Sequence, residues 1–109
     1  MKNIAEFQII GNIGRIQEVG KALKVSIASN YPSQNETGEW EQNTHWNTIT
    51  LFKDLAAKMK KYAEGDLIFA RGRIRQNQYE KDGQTIYTVD LLADECGRLA
   101  KPVDQANDD

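Results

Sequence analysis

The chain has 109 residues, a formal net charge of −2, 39% hydrophobic and 28% charged residues. That is the length of one ordinary domain, with the composition of a soluble globular protein. No apolar run approaches the roughly 20 residues that span a bilayer. Residues 1–10 alternate apolar with polar, so a signal peptide is not expected, and the single Cys96 cannot form an internal disulfide. A cytoplasmic protein is the expectation.

Five segments carry the period-2 alternation of β-strands. Residues 4–13 (IAEFQIIGNI) form the first, with apolar residues on both faces. Residues 22–28 (ALKVSIA) put Leu23, Val25 and Ile27 on one face. Residues 29–43 (SNYPSQNETGEWEQN) are polar, and a long functional loop is expected there. Residues 44–52 alternate Trp46, Thr48, Thr50 and Phe52 with Asn47, Ile49 and Leu51.

The period then changes. Leu55, Met59 and Tyr62 are spaced i, i+4, i+7, which predicts a helix capped by Asp54 and ended by Gly65. Residues 66–75 (DLIFARGRIR) predict a fourth strand, with Ile68, Ala70, Gly72 and Ile74 facing the core. A second loop covers residues 76–84, with Asp82-Gly83 as its turn signal. Residues 85–93 (TIYTVDLLA) predict the fifth strand. The order β-β-β-α-β-β predicts an all-β OB-fold, a five-stranded Greek-key barrel with one helix between strands 3 and 4. Residues 1–100 are expected to form this domain, and 101–109 a short disordered acidic tail.

Charge is unevenly placed. Residues 94–109 carry five acidic and two basic groups, whereas the other 93 residues carry 12 basic and 11 acidic. A polyanion would have to be held by local placement of cations, because the total does not supply attraction.

The third and fourth strands show where. If Ile49 and Leu51 face the core, Trp46 and Phe52 face solvent. If Ile68 and Ala70 face inward, Phe69, Arg71, Arg73 and Arg75 face outward. Exposed rings can stack on bases at about 1–3 kcal/mol per base, and arginine can pair with phosphate and stack as well. The competing reading buries these rings in a subunit interface or under the long loop. Tyr31, Trp40 and Tyr79 add aromatics to the two loops. The candidate nucleic-acid-binding set is therefore Trp46, Phe52, Tyr79, Tyr31, Trp40, Arg71, Arg73 and Arg75. No enzyme is expected. His45 is the only histidine, one cysteine makes no Cys/His metal set, and the GNIG run at 11–14 lacks a phosphate-loop lysine. No cofactor or metal is expected either.

Two stretches resemble the bacterial single-stranded DNA-binding protein family: IIGNIG at 9–14, and TGEWEQNTHWNTITLFKDLAAKMKKYAEGDLIFARGRIR at 37–75. The likeness runs over almost all of residues 2–100. It implies base stacking by Trp46, Phe52 and Tyr79, and by Tyr31 across a one-residue insertion. Arg75 matches a basic residue of the family beyond the fourth-strand glycine. Trp40 matches no family aromatic and is either an extra contact or a loop anchor.

The family's acidic tail ends in an apolar tip that recruits replication and repair enzymes. This chain ends on two aspartates without one. Recruitment by that route is not expected, which suits a plasmid, phage or integrated-element form. The resemblance implies a bacterial protein on the nucleoid or a mobile element. It would coat and protect single-stranded DNA in replication, recombination and repair, as a homotetramer or a homodimer. The alternatives are an OB protein of the replication-restart primosome and an OB-fold protein-interaction module.

Overall fold

The computed structural model describes residues 2–102. Strands β1 (Glu6–Val19), β2 (Ala22–Gln34), β3 (Trp40–Phe52), β4 (Leu67–Lys81) and β5 (Gln84–Ala100), with helix α1 (Lys53–Met59) between β3 and β4, follow in chain order. They close into a barrel in the order β1-β2-β3-β5-β4. All neighbours are antiparallel except β3 and β5, which meet in parallel where Thr50 lies beside Leu92. This is the OB-fold that the element order predicts. Of the expected tail, residues 103–109 lie outside the described residues. No helix among the described residues is long and apolar enough to cross a membrane.

Alternation places the core. Leu23, Val25 and Ile27 of β2, Ile49 and Leu51 of β3, and Ile68 and Ala70 of β4 are buried. Helix α1 covers one end of the barrel with Ala56 and Met59, and Leu55 and Tyr62 pack at its margin. Lys58 Nζ ties it to the barrel by donating to the Cys96 carbonyl (2.7 Å). The helix is shorter than its apolar stripe implies. Phe52 occupies the N-cap position in extended conformation, and no side chain caps the helix. Asp54 instead lies in the first turn, where a carboxylate suits the helix dipole.

The segment after the helix is pinned to β1. The Gly65 amide donates to the Ile13 carbonyl (2.8 Å) and the Ile13 amide donates to the Asp66 carbonyl (2.9 Å). Asn12 Nδ2 donates to the Gly65 carbonyl (3.0 Å). Directly beyond this anchor the β1–β2 register shifts between Ile13 and Arg15. The shift reverses the phase of the strand. Before it Phe7, Ile9, Gly11 and Ile13 face inward; after it Ile16 faces inward and Arg15 and Gln17 face out.

The expected loops are strands. β2 and β3 stay paired in one unbroken register as far as Gln34 and Trp40, so residues 29–43 form a hairpin arm. Only Asn35–Glu39 turn. There Asn35 Oδ1 accepts from the amides of Thr37 (3.0 Å) and Glu39 (2.9 Å), and Gly38 takes the left-handed φ of 87°. Residues 76–84 likewise continue β4 and β5 around a two-residue turn. Asp82 (φ 53°) and Gly83 (φ 78°) both adopt the positive φ of a type I′ turn. Polar pairs such as Thr44 with Asn30 (2.7 Å) and Asn77 with Asp90 (2.8 Å) hold the arms, where no core lies beneath.

Ile74 is a further correction. It keeps the phase of Ile68 and Ala70, but it lies beyond the barrel wall and is exposed. The fifth strand also runs seven residues past its expected end at Ala93, to Ala100; it supplies Cys96 to the core, with Leu91 and Ala93 packed against it.

Candidate nucleic-acid interface

The face of β3 opposite Ile49 and Leu51 carries Trp46, which is 60% exposed. The indole lies over Gly14, where an added Cβ would run into its six-membered ring. Unbroken alternation places Trp40, Trp46 and Phe52 on one face of the strand at six-residue intervals. Adjacent rings therefore stand about 20 Å apart along the strand. All three are exposed, Trp40 most of all at 71%. Rings held on a paired backbone lose little freedom when a planar ligand stacks on them, so the ladder is suited to bases.

Tyr31 is not part of the ladder. It pairs across from Asn43 in the opposite phase, and its ring meets His45 edge-on at 5.3 Å. Tyr79 stands on the β4–β5 arm in the same phase as Arg75 and Asn77, and is exposed. Phe69 is half-buried and lies over Gly97 of β5.

The arginine row is built as its alternation predicts, but each member has a carboxylate opposite it on β5. Arg71 Nε is 2.8 Å from Glu95, Arg73 Nε 3.9 Å from Asp94, and Arg75 Nη2 3.1 Å from Asp90. Exposed pairs of this kind contribute about 0–1 kcal/mol to stability. Their larger effect is to offset the row's positive charge. Arg71 and Arg73 lie beside Gln8 and Glu6 on the N-terminal half of β1. Trp46 belongs to the wall carried by the C-terminal half, through Ala28. The structure thus separates Arg71 and Arg73 from the tryptophan.

Other cations stand beside Trp46. Arg15, Gln17, Lys24, Ser26, Trp46 and Thr48 line one groove. Lys24 is marked as outward-facing by its buried neighbours Leu23 and Val25, a signal present in the alternation. Arg15 has no such signal, because the bulge after Ile13 reverses the phase.

Cys96 is buried. Burial pushes its thiol above the usual cysteine range, Lys58 opposes this and Glu95 adds to it. A neutral, enclosed thiol is a poor nucleophile.

A family model described as the single-strand binding protein family matches residues 4–99. The chain is 31% identical to a single-stranded DNA-binding protein of Deinococcus radiodurans over 94% of its own length and 36% of that protein's. It is 28% identical to single-stranded DNA-binding protein 1 of Xylella fastidiosa, covering 95% of this chain and 83% of the relative. It thus spans little more than a third of the first relative and most of the second. Among solved structures, the Plasmodium falciparum SSB in complex with ssDNA superposes with a TM-score of 0.70. The match covers 92% of this chain and 96% of that one at 16% identity, which speaks to the fold.

Proposed function

The chain belongs to the single-strand binding protein family, and we propose that it coats and protects single-stranded DNA, largely without sequence preference, in replication, recombination and repair. One observation carries this reading beyond family membership: an indole exposed on a rigid strand, with two more rings in the same phase. Every base has a face to stack, so a ladder of rings binds a strand without reading its sequence. The reading is of a binding protein without catalysis.

Trp46 and Phe52 are the stacking centre. Trp40 extends it along the β2–β3 arm, and Tyr79 and Tyr31 extend it from the arms' other surfaces. Arg71, Arg73 and Arg75 contribute to the extent that phosphate displaces their β5 carboxylates. The primosome and protein-interaction alternatives gain no support from these relatives. A bacterial, cytoplasmic setting, on the nucleoid or a mobile element, suits the proposal.

Self-association is part of it. Residues Glu6 to Gly11 of β1 pair in the sheet only with β4, which leaves the other edge of Glu6–Ile10 open to a strand from a second copy. Ile10 and Leu99 are exposed, and with Ile9 and Phe69 they line a groove over β1, β4 and β5. We favour a homotetramer, with a homodimer as the smaller alternative.

The test is equilibrium titration with oligo-dT and with duplex of equal length. Saturable, salt-sensitive binding that prefers the single strand supports the proposal. Failure to bind oligo-dT, or preference for duplex, overturns it.

A further inference from the structure

We propose that Arg15 and Lys24 form the phosphate-binding site that serves the base stacked on Trp46, so that the strand's backbone crosses the β1–β2–β3 wall beside them. This rests on the single-stranded DNA reading above and adds the site that grips the backbone.

Three observations carry it. The first is position. Arg15 pairs across from Ser26 on β2, Ser26 from Thr48 on β3, and Lys24 from Thr50. Two cations and two hydroxyl residues therefore flank the exposed indole in one groove. That groove has a volume of about 490 Å³, within the range of small-molecule sites.

The second is charge. Among the described residues neither Arg15 nor Lys24 forms an ion pair, whereas Arg71, Arg73 and Arg75 each have a carboxylate within 4 Å. Lys24 Nζ donates to Thr50 Oγ1 (3.1 Å), a neutral partner that steadies the ammonium and leaves its charge intact. The carboxylate of Glu18, the nearest acidic residue in sequence on this stretch of β1, is taken up by Lys60 at 2.9 Å. A phosphate arriving here has no acid to displace, while one arriving at the β4 row does.

The third is construction. Arg15 faces out only because the β1 register shifts after Ile13. Gly14, between them, leaves room for the Trp46 ring. One backbone irregularity, beside the anchor made by the Ile13–Asp66 and Gly65–Ile13 hydrogen bonds, thus brings a cation to the groove that the ring lines. Bulges recur where a strand must re-aim a side chain.

The experiment is the salt dependence of oligo-dT affinity for the parent, Arg15→Gln, Lys24→Gln, the double variant and the charge-keeping Arg15→Lys. Each phosphate contact to a single strand contributes about 0.7 to the slope of log K against log salt. Each single neutralisation should lower the slope by about 0.7 and the double by about 1.4, whereas Arg15→Lys should keep the parent slope. Quenching of tryptophan fluorescence at saturation should persist in all of them, because stacking is untouched. A thermal melt of each variant identifies any loss of folding, and the two single neutralisations, on different strands, test the site separately if one of them is unstable. A parent that binds oligo-dT while the neutral variants keep its slope overturns the phosphate site alone. A parent that does not bind oligo-dT overturns the function and the site together.

Discussion

The Trp46 ring rests where Gly14 has no side chain, and the constraint on that position is steric, since an added methyl would occupy space the indole fills. Gly14→Ala should displace the ring without opening the core. We expect oligo-dT binding to weaken by about 1 kcal/mol, the low end of the range for losing one stacked base. Unchanged affinity would mean that the ring's seat does not matter for binding. Lys53 carries a backbone demand instead and, with Asp82, is one of two non-glycine residues of positive φ among the described residues. It holds a left-handed φ of 53° at the junction of β3 and α1. That conformation costs an L-residue roughly 1–2 kcal/mol, and glycine avoids it at some cost in unfolded-state entropy. Lys53→Gly should therefore stabilise the fold by about 0.5–1 kcal/mol, seen as a higher urea midpoint with an unchanged slope. A lower midpoint would show that the lysine side chain contributes more than its backbone strain costs.

At the scale of elements, what could be read from the sequence follows from which strands have a core beneath them. β2 and β3 were legible over Leu23–Ile27 and Ile49–Leu51, where one face is apolar. They were not legible over residues 29–43, because both faces of the arm are polar and alternation leaves no trace. The Asp82-Gly83 turn was legible because few residue pairs accept two positive φ values in succession. The end of β5 was not. A register shift opposite Arg71 and Gly72 alters its phase: Leu91 and Ala93 pack against the core on one side of it and Cys96 on the other. The candidate site divides along the same line. Trp46 and Phe52 stand out because Ile49 and Leu51, in the opposite phase, face the core. Arg15 is hidden by a bulge that no residue pattern announces. The pairing of Arg71, Arg73 and Arg75 with β5 carboxylates depends on register between two strands, which composition does not encode.

For the molecule as a whole, the arms set the shape. The Cα radius of gyration is 16.7 Å, against about 13 Å for a compact domain of 100 residues. Projecting hairpins and an exposed apolar groove at Ile10, Phe69 and Leu99 give the barrel more to bury than a single copy covers. Sedimentation at micromolar concentration should give about four times the 12.4 kDa chain mass, and Ile10→Glu, which sets a charge against the groove's counterpart, should release smaller species. A parent protein that sediments as a monomer would contradict the assembly. The function itself turns on whether bases stack on the ladder, and the most direct measurement isolates its central ring. Trp40→Phe leaves Trp46 as the sole tryptophan. Titrating this protein with oligo-dT should quench its fluorescence saturably, and adding Trp46→Ala should weaken binding, measured by anisotropy of labelled oligo-dT, by about 1–3 kcal/mol. Binding that leaves the Trp46 emission unchanged, together with full affinity in the Trp46→Ala protein, would place the DNA elsewhere on the barrel.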